Sequence, residues 1–228
     1  MTTPPKRALI VINVQHEYID GKMPIEFPEL SVSLPNIGRA MDHAAAHSIP
    51  VIVVQHVLPP AAAVFARDTR AIELDSSVAS RPRDLLIEKT LPSAFAENDL
   101  DAWLRERGVD TLTVTGYTSN NCGESTMRDA VHRGFQAEFI SDASGTFAHA
   151  NRAGVLTAQE LQRAVCVSMQ SRYGAVATTT EWVNAVTDAA ALPRDTPLGS
   201  TEAARKLKRA DAVTDAVTDA ATDVAQPS

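Results

Sequence analysis

Apolar and polar positions along this chain fall into blocks of two kinds. One kind is a short apolar run rich in β-branched residues: "RALIVINV", "IPVIVVQHV", "RDLLIEKT", "TLTVTGY", "FQAEFISDA" and the start of "GAVATTTEWV". The first is apolar almost throughout, as a strand covered on both faces must be. The other kind has helical spacing. From about Ser33 to His47, Leu34, Ile37, Met41 and Ala45 recur at near-helical intervals. In "ENDLDAWLRERGVD", Leu100, Trp103 and Leu104 make a stripe that Gly108 ends. A third helix is expected from about Asn121 to Arg133, stopped by Gly134. A fourth covers "TAQELQRAVCVSMQSRYG", where Thr157 and Glu160 form a capping box. A short helix closes the pattern after the sixth strand.

Strands alternating with helices predict an α/β fold: a parallel sheet between two helical layers. Right-handed crossovers restrict the strand order. Ligands in such sheets bind beyond the carboxyl ends of the strands, at the switch point. Those ends carry Asn13, His56, Lys89 and residues 117–122. Two regions break the alternation. Residues 57–83 hold paired prolines and no clean period, which suits a lid or binding loop. After Leu192 the chain becomes linker-like and then repeats "AVTD", "AVTD", "AATD". The expected division is therefore one domain over 1–192 and a low-complexity, disordered tail over 193–228, with a weak partner helix as the other reading of the tail.

Composition narrows the partners. The 228 residues are 44% apolar, enough for one sizeable core. The net charge is −7 and no Lys/Arg stripe is long enough to track phosphates, which argues against nucleic acid. The N-terminal apolar run is too brief for a signal peptide or a membrane span. Two cysteines do not make a disulfide framework, so a reducing, cytoplasmic setting is expected.

The two cysteines differ in context. Cys166 sits among Ala164, Val165 and Val167, as a small core hydrophobe would. Cys122 is flanked by Ser119, Asn120, Asn121, Gly123 and Glu124, none of which builds a core. It stands where a strand gives way to a helix, whose dipole and unpaired N–H groups favour a thiolate. That context points to a nucleophile. Lys89, ending the third strand, reads either as a surface lysine or as a cation beside the thiolate. His56 reads as a pocket or structural histidine, because the chain offers no three- or four-ligand set around it.

Three ordered segments carry a resemblance. "ALIVINVQHEY", "IEKTLPSAF" and "RGVDTLTVTGYTSNNCGESTMRDAVHRGFQAEFISDAS" resemble the isochorismatase-like cysteine hydrolases, which include nicotinamidases and carbamoylsarcosine amidases. The resemblance covers about residues 6–190 and implies a Rossmann-like sheet of order 3-2-1-4-5-6. It implies that Cys122 attacks an amide or carbamoyl carbonyl to form a thioester, with Lys89 holding the thiolate. It implies a cis peptide between Tyr117 and Thr118, and an oxyanion hole from the N–H groups of Thr118 and Cys122. The family's aspartate base falls on Asn13, which carries no charge and cannot take a proton. Glu17, Glu124 and His56 are the candidate substitutes. The loop after strand two lacks the Asp-x-His of the nicotinamidase metal site, so no metal or other cofactor is expected. Tyr18, Phe65, Tyr117 and Asn120 are the candidate substrate contacts. The expected partner is a small molecule, and the expected assembly a homodimer or tetramer. Three other readings stay open: a catalytically weak relative that binds a ligand or partner, an engineered Asp-to-Asn trapping variant, and a redox-responsive thiol protein.

Overall fold

The computed structural model describes residues 3–208, which divide into two compact units between Arg194 and Asp195. In the first unit the strands are β1 (Arg7–Ile12), β2 (Val51–His56), β3 (Leu85–Lys89), β4 (Thr111–Tyr117), β5 (Gln136–Gly145), β6 (His149–Asn151), β7 (Gly154–Leu156) and β8 (Ala175–Ala177). Six of them form a parallel sheet of order β3-β2-β1-β4-β5-β8. This is the expected 3-2-1-4-5-6 order, with β6 and β7 inserted before the last sheet strand as a small antiparallel hairpin.

Alternation within the buried strands builds the three layers. Leu9 and Val11 of β1 pack with α1 (Leu30–Ala46) and α6 (Thr179–Thr187). Ala8, Ile10 and Ile12 face the other way, onto α3 (Leu100–Glu106), α4 (Glu124–His132) and α5 (Ala158–Ser168). Each fully buried aliphatic side chain of this kind contributes about 1.5–3 kcal/mol. A buried polar network crosses the α6 side: Arg7 forks onto Glu138, which also accepts from Thr113 Oγ1 (2.8 Å) and from the Trp182 indole (3.2 Å).

β1 and β4 meet at the switch point through Ile12 and Gly116. Gly116 has φ 103°, and a Cβ there would lie 2.1 Å from the Ile12 carbonyl oxygen. Only glycine lets the two strands approach so closely, and Asn13 follows directly at the end of β1.

Several boundaries differ from the sequence expectation. α1 starts at Leu30, before Ser33, because Glu29 makes no side-chain cap that would mark the start. The third helix is preceded by a wide π-type turn over Ser119–Gly123, so Cys122 lies in that turn and α4 begins at Glu124. The capping box of Thr157 and Glu160 is formed, and a second one joins Thr178 to Glu181 at α6. Residues 57–83 contain a 3₁₀ turn (Arg70–Ile72) and α2 (Ser76–Ala79), capped by Asp75. In the second unit, residues 197–208 are helical, with Leu198 and Leu207 exposed. The "AVTD" repeats lie outside the described residues. His43 of α1 and His47, which caps its C-terminus, stand four residues apart, a spacing that two metal ligands could share, and their ring centroids are 4.0 Å apart. Among the described residues no group of three His, Cys, Asp or Glu side chains is arranged to hold a metal ion. No helix among the described residues is long and apolar enough to cross a membrane.

Candidate active site

The ends of β1, β2, β3 and β4 meet at one mouth of the sheet. Cys122 and Lys89 are both buried there, 3% and 4% exposed. Lys89 Nζ donates to Cys122 Sγ (3.3 Å) and to the Leu91 carbonyl (3.0 Å), and lies 3.4 Å from His56 Nδ1. An ammonium has three N–H groups and no acceptor, so these three contacts account for all its donors. Burial lowers the pKa of Lys89, and the neighbouring Cys122 opposes that shift.

The segment after Lys89 is tied to the nucleophile helix. Ser93 Oγ donates to the Asp129 carboxylate (2.7 Å), and the Ala94 N–H donates to Thr126 Oγ1 (3.0 Å). The Ser-Ala-Phe run after Lys89 thus fixes the lysine-bearing loop to α4. The backbone enters the turn through a cis peptide between Tyr117 and Thr118, and the Thr118 carbonyl accepts from Gly123 N (3.0 Å) inside it.

Asn13 is fully buried at the end of β1 with φ 51°, a conformation asparagine tolerates. Its N–H donates to the Val54 carbonyl (2.8 Å). Among the described residues neither polar atom of its side-chain amide has a hydrogen-bond partner. The expected convergence is therefore met directly by Lys89 and Cys122, while the Asn13 amide bonds to neither.

A cleft of ≈ 490 Å³ opens over Cys122. Of the expected substrate contacts, Tyr18, Phe65 and Asn120 line it, as does Thr118, the expected oxyanion donor. Tyr18 meets Phe65 edge-on at 5.0 Å, and Asn120 Oδ1 accepts from Thr146 Oγ1 (2.6 Å). Burial raises the Tyr18 pKa, assisted by Cys122, so the phenol stays protonated. Tyr117 is not a cleft residue. It is fully buried in the α1 layer, and its hydroxyl is 2.7 Å from Ser33 Oγ. Alternation along β4 turns it away from the mouth.

Thr90, Pro92 and Asn121 also line the cleft, and the rest of its wall was hidden in sequence because it comes from segments without periodicity: Met23, Val64, Phe147 and His149. Phe147 and His149 stack at 5.1 Å just before and within β6. His56 also lines the cleft, edge-on to Phe65 at 5.1 Å. Burial, and then the Lys89 charge, bring its pKa down to about 4, so its imidazole is neutral at pH 7. Gln15 holds its backbone from both sides, accepting from His56 N (2.8 Å) and donating to His56 O (2.9 Å). Its amide nitrogen also reaches the Ile72 carbonyl (2.9 Å), joining the long loop to the mouth. Two candidate bases are occupied elsewhere. Glu17 accepts from the Lys22 and Phe65 N–H groups, and Glu124 pairs with Arg128.

The isochorismatase domain profile matches residues 7–181. The chain belongs to the isochorismatase family. It is 30% identical over 174 residues to the isochorismatase family protein YddQ of Bacillus subtilis, covering 75% of this chain and 96% of YddQ. N-carbamoylsarcosine amidase of an Arthrobacter species is 26% identical over 146 residues, covering 57% of this chain and 55% of that enzyme. Among solved structures, an isochorismatase-type protein of Burkholderia xenovorans LB400 superposes with a TM-score of 0.89 at 47% identity, covering 91% of this chain and 100% of that one. A cysteine hydrolase of Pseudomonas syringae pv. phaseolicola superposes with a TM-score of 0.74 at 25% identity, covering 82% and 95%. As a member of this family the chain is a hydrolase.

Proposed function

We propose that this isochorismatase-family chain hydrolyses a small amide or carbamoyl-type C–N bond through a thioester on Cys122. The observation that carries the reading is the buried contact between Lys89 Nζ and Cys122 Sγ at the floor of the cleft. A donor-only cation 3.3 Å from the sulfur hydrogen-bonds the group that would attack the carbonyl carbon. The N–H groups of Thr118 and Cys122 serve as oxyanion donors, a role consistent with both residues lining the cleft. The aromatic wall suits a small planar acyl group better than a polymer. Similarity to N-carbamoylsarcosine amidase and to ureidoacrylate amidohydrolase RutB of Methylobacterium radiotolerans, 27% identical over 230 residues, supports the choice of bond. The free thiols Cys122 and Cys166 fit a reducing, cytoplasmic setting.

A second reading, a chemically weakened relative, is favoured by the unpartnered amide of Asn13 where the family has its acid. One experiment separates the two. The chain is incubated with a panel of primary amides and N-carbamoyl amino acids, and intact mass is followed beside product release. The proposal expects an acyl adduct lost in C122A, with turnover by the unmodified chain. A weakened relative instead acquires turnover only in N13D, with a gain of about 10²-fold or more. No adduct and no turnover in either protein refutes the hydrolase reading.

A further inference from the structure

We infer that His56 carries the proton that the missing carboxylate at position 13 would have carried, through a Cys122–Lys89–His56 relay. This rests on the thioester reading above. Four observations converge on it. Among the described residues the Asn13 amide makes no hydrogen bond to Lys89 or Cys122. Of the three acceptors around Lys89 Nζ among the described residues, one is the nucleophilic sulfur, one a backbone carbonyl, and His56 Nδ1 is the titratable base apart from the nucleophile. The imidazole also lines the cleft, so the relay can reach bound substrate. Finally, Gln15 clamps the His56 backbone on both sides, and Phe65 packs on the ring edge-on, which fixes its position.

The chemistry balances without any added reagent. Lys89 is a donor, so Nδ1 presents its lone pair to the ammonium, and the proton of the neutral ring sits on Nε2. The Cys122 thiolate forms the S–C bond. As the C–N bond breaks, Nε2–H passes to the leaving nitrogen while Nδ1 takes a proton from Lys89. The relay then holds a neutral amine and an imidazole with a vacant Nε2. Water attacks the thioester and gives its proton to Nε2, Nδ1–H returns a proton to Lys89, and the thiolate leaves as the ammonium is restored. The net result is amide plus water giving acid plus amine. An imidazole of low basicity suits both steps, because it holds its second proton only in passing.

The test uses two acetyl esters as probes of Cys122, p-nitrophenyl acetate and phenyl acetate, with acylation followed by intact mass. The nitrophenolate leaves without a proton; the phenolate, far more basic, leaves faster with one. In H56Q the phenyl acetate rate is expected to fall about 10²-fold more than the p-nitrophenyl acetate rate. Adding N13D to H56Q should restore the phenyl acetate rate, because a carboxylic acid then stands in the relay's place. A uniform loss with both esters in H56Q and in H56N overturns the inference, since a merely structural histidine would act that way. No loss with either ester overturns it as well. If p-nitrophenyl acetate acylates the unmodified chain no faster than C122A, the thioester reading itself fails, which is a separate result.

Discussion

Gly116→Ala tests the packing that brings the nucleophile strand against β1. The new Cβ would lie 2.1 Å from the Ile12 carbonyl oxygen, 2.8 Å from its nitrogen and 2.9 Å from its carbonyl carbon. All three are backbone atoms, so no side chain can swing away; β1 and β4 must separate. Two costs add. An L-residue held at φ 103° loses about 1–3 kcal/mol. Overpacking a close contact costs about 1–3 kcal/mol more. A total of about 4 kcal/mol lowers the Tm of a domain this size by about 10 °C. Gly134→Ala supplies the control, because its φ is 88° but a Cβ there meets nothing within 4 Å. It bears the backbone cost without the collision. Urea unfolding of both variants, followed by tryptophan fluorescence, isolates the difference, which should be about 1–3 kcal/mol. A Gly116→Ala variant no less stable than Gly134→Ala would refute the claim that this glycine exists for the strand contact.

Other consequences follow from buried charge and from thiol environment. Glu138→Ala leaves the buried Arg7 guanidinium, among the described residues, with only the Ala190 carbonyl (2.6 Å) as a hydrogen-bond acceptor, so stability should fall by about 3–5 kcal/mol in denaturant titration. Burial pushes the Cys166 thiol up to about 11, so that at pH 8 it stays protonated. Iodoacetamide should therefore label Cys122 alone at pH 8 and reach Cys166 only as the pH rises toward its pKa, with peptide mapping as the readout. Lys89→Met removes the donor on the sulfur, and labelling of Cys122 at neutral pH should slow by about tenfold or more.

The parts of the fold legible in sequence were those with a period or a fixed local chemistry. β1 announces itself because all six of its residues are buried, and α5 because Thr157 and Glu160 cap it. Cys122 was legible because its polar neighbours build no core, and Lys89 because it ends a strand-like run. The rest depends on contacts between distant segments. Tyr117 looked like a pocket residue from its place beside Thr118, but alternation sends it into the α1 layer, where it packs edge-on against Tyr18 without lining the cleft. Phe147 and His149 reach the cleft only through a hairpin of three-residue strands, too short to leave a pattern. The Gln15 clamp joins positions 41 and 57 residues apart, and no local signal encodes such a bond.

The same distinction explains why Asn13 could be read but not interpreted from sequence. The letter at position 13 shows that no proton acceptor stands there; it does not show what surrounds it. Lys89, left without a carboxylate, could have turned outward to water, as lysines with no partner usually do. It remains buried, with all three donors directed at acceptors. An ammonium held at that depth needs compensation. Here it comes from one sulfur, one carbonyl and one neutral imidazole in place of a carboxylate. The supports around it are also intact: Gln15 still holds β1 to β2, Gly116 still admits β4 alongside β1, and Ser93 still ties the lysine loop to α4. A site that had merely lost its acid would not require His56 at 3.4 Å from Lys89 Nζ, whereas one that moves its proton by another route would.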